Sequence, residues 1–106
     1  MLLGLRYFAT GTGRSQATDF LTGLPGRESA QIVADVEAFR IYMLKAPIST
    51  RPIKGKRPMF EIRTGRFRTY CVVRGQTLWV LHVGRKRDQR RDIEVAAERM
   101  KALSGG

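Results

Sequence analysis

From Met59 the sequence period changes to two, and two glycine turns interrupt the stretch that runs to Val83. A period of two sends successive side chains to opposite faces of an extended strand. In a first strand, Met59–Thr64, Phe60 and Ile62 share one face and Glu61 and Arg63 the other. Thr64-Gly65 reads as a hairpin turn. In the next strand, Phe67–Val73, Arg66, Arg68 and Tyr70 fall on one face and Phe67, Thr69 and Cys71 on the other. Arg74-Gly75-Gln76 is a second tight turn and leads into a third strand, Thr77–Val83. Connections this short join only antiparallel neighbours. The stretch is therefore a three-strand meander, and the rest of the chain supplies what packs on it.

Upstream, Leu3–Thr10 reads as a short strand closed by Gly11-Thr12-Gly13. A helix is expected over Ser15–Gly23, with Ala17, Phe20, Leu21 and Leu24 in one stripe, Ser15 as N-cap, and Gly23 and Pro25 as the stop. A longer helix is expected over Arg27–Lys45 and ends before Pro47. Ile32, Val36, Phe39 and Met43 line its apolar face, Val33 and Leu44 widen it, and Asp35 and Glu37 lie off it. Downstream, a last helix over Gln89–Leu103 has Asp88 as N-cap and Ile93, Ala96, Ala97 and Met100 as its apolar face, with Ser104-Gly105-Gly106 as a frayed end. The expected order is β-α-α-β-β-β-α. That is an α+β fold with a mostly antiparallel sheet and helices packed against it. At 106 residues the chain is expected to form one domain, 1–106.

The charge is as uneven as the pattern. Arg51–Arg91 holds 13 of the 20 Lys and Arg residues and two of the nine acids, Glu61 and Asp88, so the whole excess of +11 lies there. A neutral scaffold carrying one cationic surface points to a polyanion, most commonly nucleic acid. A basic membrane-surface protein would instead carry its charge on a long amphipathic helix. Here the charge sits on strands and turns, so no membrane partner is expected. No segment reads as a signal peptide or a membrane span. With one cysteine, Cys71, and one histidine, His82, neither a disulfide framework nor a His- or Cys-rich metal site is expected, and the cytoplasm is the expected compartment. No cofactor is expected, because glycine-rich nucleotide loops are absent.

Within the cationic stretch stand one carboxylate, Glu61, and one imidazole, His82, with Arg63, Arg68, Arg85 and Lys86 around them. RNA cleavage by its own 2′-hydroxyl needs a base, an acid for the leaving 5′ oxygen, and cations for the charge that builds on phosphorus. Each residue also has a purely structural reading. Glu61 can pair with Arg63 or Arg68 across a hairpin, His82 can be a half-buried packing residue, Arg68 can face solvent, and Lys86 can merely steer.

Pro58-Met59-Phe60-Glu61-Ile62-Arg63, Phe67-Arg68-Thr69-Tyr70-Cys71, Leu81-His82-Val83-Gly84-Arg85-Lys86 and Ile93-Glu94-Val95-Ala96 come in this order, after Pro52-Ile53-Lys54-Gly55. In this the chain resembles the RelE/ParE toxin superfamily, and within it the HigB-like, phage-derived branch. The resemblance covers about residues 50–103. It implies a RelE-like fold and the toxin of a type II toxin–antitoxin pair, a metal-independent mRNA endoribonuclease acting on translating ribosomes and leaving 2′,3′-cyclic phosphate ends. It implies that Arg68 and Lys86 contact the scissile phosphate and that Glu61 and His82 share acid–base work. His82, kept neutral by the surrounding cations, is the better base of the two, and Glu61 is suited to orienting Arg68. Lys54, Lys56, Arg57, Arg63, Arg66, Arg85 and Arg87 are the expected RNA-binding residues. The implied partners are mRNA, the ribosome and a cognate antitoxin, acidic or of helix-turn-helix type. Two departures stand out. Gly84 occupies a position where the HigB-like branch carries Phe, and the C-terminal tyrosine of some members is absent. The same fold also serves a ParE-like, non-enzymatic DNA gyrase poison, or a nucleic-acid-binding domain without chemistry.

Overall fold

The structure is a computed structural model that describes residues 2–104. Strand β1 (Gly4–Tyr7) leads to helices α1 (Gln16–Thr22) and α2 (Gly26–Tyr42). Strands β2 (Ser49–Pro52), β3 (Phe60–Thr64), β4 (Phe67–Arg74) and β5 (Thr77–Arg85) follow, then helix α3 (Gln89–Ser104). The strands form one mixed sheet in the order β1-β5-β4-β3-β2, with β1 parallel to β5 and every other pair antiparallel.

The meander forms as its period demands. The helical hairpin covers one face of the sheet, where Ile62, Phe67, Cys71, Leu78, Val80 and Val83 meet Ala17, Ile32, Val36 and Phe39. Helix α3 covers the other, where Met59, Tyr70, Val72 and Leu81 meet Ala96 and Ala97. Ser15 caps α1 as expected, its side chain accepting from the Thr18 N–H at 3.2 Å. Between Tyr70 and Cys71 the pairing with β5 slips by one residue, so that Tyr70 faces His82 and Cys71 faces Val80. The extra residue, Leu81, turns to the α3 face beside His82.

Four expectations need correction. The sheet has a further strand: β2 pairs with β3 from Ser49↔Arg63 to Pro52↔Phe60. It has only four residues and ends in proline, which an edge strand tolerates because its outer side needs no ladder bond. Helix α2 stops at Tyr42 rather than Lys45, because Met43 adopts a positive φ of 55° and opens a short 3-10 turn, Met43–Lys45. That break turns the end of the expected stripe outward, leaving Leu44 84% exposed. Asp88 ends a 3-10 turn, Lys86–Asp88, that runs directly into α3. Of the expected frayed end, Ser104 is helical, while Gly105 and Gly106 lie outside the described residues. Among the described residues no helix is long and apolar enough to cross a membrane.

Candidate functional site

The sheet register lines up the titratable candidates. Glu61 on β3, Tyr70 on β4 and His82 on β5 are direct cross-strand partners, and Arg63, Arg68 and Gly84 form the next row. Glu61 and His82 are thus two strand spacings apart, about 10 Å, with the Tyr70 ring between them. The first turns of α3 lie over this row, and Glu61 and Tyr70 are fully buried.

Glu61 is held from three sides. Arg63 Nε donates to its Oε2 at 2.6 Å, Gln89 Nε2 from α3 donates to Oε1 at 2.8 Å, and Arg68 Nε lies 3.8 Å from Oε2. The shortest pairing, to Arg63, thus runs along β3, and the pairing across the hairpin is the longer one to Arg68. Arg68 does not face solvent. It is 5% exposed, and its Nη1 donates to the carbonyls of Gly65 and Phe67, each at 2.8 Å. The guanidinium so braces the β3–β4 turn that carries Arg66. The Arg68 Nε and the Tyr70 hydroxyl are both buried without a hydrogen-bond partner. Burial, reinforced by the charges of Glu61 and Asp92, pushes the Tyr70 phenol well above its ordinary range, so it keeps its proton.

His82 is clamped between two residues of α3. Arg99 Nη1, which can only donate, lies 2.9 Å from Nδ1 and also donates to the Leu81 carbonyl at 2.8 Å. Nδ1 therefore accepts, and Nε2 carries the proton toward Asp92 Oδ1 at 3.1 Å. Burial holds the imidazole below its ordinary value; Asp92 opposes this, and Arg99 and Arg91 assist it. Desolvation, more than the surrounding cations, is the main cause of that lowering. Gly84 makes room for the arrangement, since a Cβ there would overlap the Asp92 carboxylate.

Gln89, Asp92 and Arg99 join the site from α3, beyond the residues that the strand pattern singles out. Their signal lay in the helical period. Gln89, Asp92, Ala96 and Arg99 recur at spacings of three and four along α3, so they share the face that carries Ala96 onto the sheet.

Lys86 lies apart from this buried row. It is exposed and lines a groove of about 410 Å³ with Arg66, Arg85 and Arg87, four cations and no acid. The groove is fastened by the Lys86 N–H, which donates to the Arg66 carbonyl at 2.8 Å. Arg87 also borders a second groove of about 520 Å³, with Asp88, Arg90, Arg91, Glu94 and Val95. Glu94 in turn borders a third of about 450 Å³, which contains Arg51, Lys54 and Lys56 and has Glu61 and Gln89 at its floor. Arg57 belongs to a neighbouring, more apolar groove with Leu44 and Phe60. Lys54, Lys56, Arg66, Arg85 and Arg87 thus fall on a belt of adjoining grooves around the start of α3, with Glu61, Asp88 and Glu94 as its acids, whereas Arg63 lines none of these grooves. Four of the expected residues are already engaged: Lys56 pairs with Glu94 at 3.2 Å, Arg66 with Glu28 at 2.9 Å, Arg63 with Glu61 at 2.6 Å and Arg87 with Asp88 at 3.9 Å. Among the described residues, no three His, Cys, Asp or Glu side chains gather into a metal-holding group.

No family model matches the sequence, and no curated protein matches it. In structure the chain is similar to a copper-bound point mutant of a toxin from Helicobacter pylori, with a TM-score of 0.54 and 15% identity over 82% of this chain and 98% of that one. At that identity the likeness is one of fold. The shared architecture is this α+β one, a five-stranded mixed sheet with three α-helices.

Proposed function

We propose that the chain is the toxin of a type II toxin–antitoxin pair, of the RelE type and its HigB-like branch, and that it poisons translation in the cytoplasm by cutting mRNA on the ribosome. The observation that carries this reading is the acid-free groove of Arg66, Arg85, Lys86 and Arg87, which opens onto the belt of cationic grooves. Four converging cations fit a phosphodiester, and the belt fits the phosphates on either side of it. Lys86 and Arg66 hold the scissile phosphate. Arg68 acts through the Gly65 and Phe67 carbonyls as a positioning residue for Arg66, and Glu61 anchors Arg68 and Arg63. His82, neutral and paired with Asp92, is the group suited to moving a proton when the 2′-hydroxyl attacks. Both its nitrogens are engaged, so proton exchange with a substrate requires Asp92 or Arg99 to give way. The partner is an antitoxin whose acidic segment covers the belt.

One observation favours a second reading, a non-enzymatic poison of the ParE type or a nucleic-acid-binding domain without chemistry. Glu61 and Tyr70 are sealed beneath α3, and His82 has no free nitrogen. Mapping mRNA 5′ ends after induction separates the two. On the nuclease reading, wild type yields discrete cuts with 5′-hydroxyl and 2′,3′-cyclic phosphate ends. Lys86→Ala, on an exposed residue, lowers the cutting rate by about a hundredfold, as loss of one preorganised donor does elsewhere. Undiminished toxicity without cuts sinks the nuclease and leaves the binding poison.

A further inference from the structure

A further cleft lies where β1 runs out toward α1, with a volume of about 460 Å³, lined by Phe8, Thr10, Arg14, Gln16, Asp19, Phe20 and Arg99. We propose that it is a stacking subsite for one unpaired base of a single RNA strand whose backbone occupies the basic groove. This deepens the RNA-binding reading above and rests on it.

The two sites are physically joined. The Arg85 guanidinium, part of the basic groove, lies 5.2 Å from the Phe20 ring centroid and 6.0 Å from that of Phe67. Phe20 in turn forms a wall of the cleft and is steadied edge-to-face by Phe67, with centroids 6.1 Å apart. A strand held at Arg85 therefore has an aromatic cleft as its next stop. Phe8 also lines the cleft, and the Arg99 guanidinium lies 5.7 Å from its ring centroid. Both phenyl rings are half-buried rather than sunk in the core. Cationic tracks interleaved with aromatic faces are the usual way of holding single-stranded nucleic acid. The volume also falls within the range of about 300–1,000 Å³ of sites that take small organic groups.

The polar groups define what the cleft accepts. Gln16 spends its amide on the Val83 backbone, donating to the carbonyl at 2.7 Å and accepting from the N–H at 3.1 Å. It builds the wall and keeps one N–H and one oxygen lone pair of the amide beyond those two bonds. Arg99 is committed to His82 and the Leu81 carbonyl. Asp19 disfavours a phosphate on the floor, which suits a neutral ring. Arg14 is the mobile cation at the mouth, 79% exposed in its side chain and bridged to Asp19 at only 3.3 Å, so it can turn to the phosphate that follows the base. The subsite thus holds a base chiefly by stacking, which every base can supply.

The test is fluorescence anisotropy of the full chain with a labelled single-stranded RNA and with a strand of equal length made abasic. Phe8→Leu keeps the apolar volume and removes the π-face. It is expected to weaken binding of the base-bearing strand about tenfold and to leave the abasic strand unchanged. A 2-aminopurine in the wild-type complex is expected to lose fluorescence on stacking, which needs no variant to fold. Equal affinity of wild type for the two strands, or an unquenched 2-aminopurine, overturns the subsite while RNA binding stands. No binding of either strand overturns both readings.

Discussion

A β-carbon on Gly84 would collide with the Asp92 carboxylate, and that carboxylate is what engages the Nε2 proton of His82. Gly84→Ala is therefore expected to cost about 1–3 kcal/mol, the usual price of overpacking a close-fitted site. Urea unfolding measures it. If the clash is the cause, the same substitution costs much less in an Asp92→Ala background, and the double-mutant cycle shows coupling. His82 supplies a second expectation. Its folded-state pKa is lowered, mainly by burial, with Asp92, Arg99 and Arg91 facing it. Below its ordinary value of 6.5 the unfolded chain binds more protons than the native one. The stability His82 contributes is thus complete above that pH and is lost as pH falls toward and through the lower folded value. Stability measured between pH 7 and 5 should decline, and His82→Gln should flatten that decline. An unchanged slope in the variant would place the acid sensitivity elsewhere.

Between elements, single side chains do much of the fastening. Strand β1 ends at Tyr7, so β5 beyond Val80 loses its parallel neighbour. Gln16 of α1 takes the neighbour's place with its two bonds to Val83. Gln16→Ala leaves a backbone donor and acceptor to find water, at an expected cost of about 1–3 kcal/mol. Hydrogen exchange at the Val83 amide should accelerate well beyond that of the interior of β4. Arg68 fastens the β3–β4 turn in a similar way. Arg68→Ala removes the donors to Gly65 and Phe67 and leaves Glu61 its Arg63 partner. A loss of about 1–3 kcal/mol is expected, below that of a buried charge left wholly unpaired. Lys86→Ala, at an exposed site, should leave the melting temperature within a degree or two while weakening RNA binding. A pair of variants with these opposite profiles separates support from contact. An unshifted melt for Arg68→Ala would remove the bracing role.

For the molecule as a whole, the belt of grooves makes binding electrostatic in the first place. Affinity for single-stranded RNA should fall with salt, with a log–log slope of magnitude about 0.7 per phosphate neutralised. If the belt acts as one surface, Lys54→Glu, Arg66→Glu and Arg90→Glu each lower the slope, though they come from three different grooves. A slope that responds only to Arg66 would confine the footprint to the groove at the end of β5. The layering explains why the belt exists. One sheet face is filled by α1 and α2 and the other by α3, so the basic residues of the turns and of the start of α3 have only the rim left to them.

The meander, the two helices before it and the helix after it were legible because each is local. Period-two alternation with glycine turns, and stripes at spacings of three and four, report burial without knowledge of the partner surface. Strand β2 was not legible, since four edge residues with a proline bury too little on either side to leave a period. The end of α2 was hidden because the stripe continues through Met43 and Leu44 although the backbone has already turned. In the candidate site, the sequence placed Glu61 and Arg63 on one strand face and pointed to their pairing. It could not show that Arg68 turns inward onto two carbonyls, nor that Asp92 and Arg99 close on His82 from a helix ten or more residues away. Those contacts depend on how α3 docks across β3–β5, on the extra residue in β5 that brings His82 and Leu81 to one face, and on the space left at Gly84. Strand faces follow from a period that each strand carries alone. The partner of a buried charge follows from which element is laid over it, and that is a property of the packed whole.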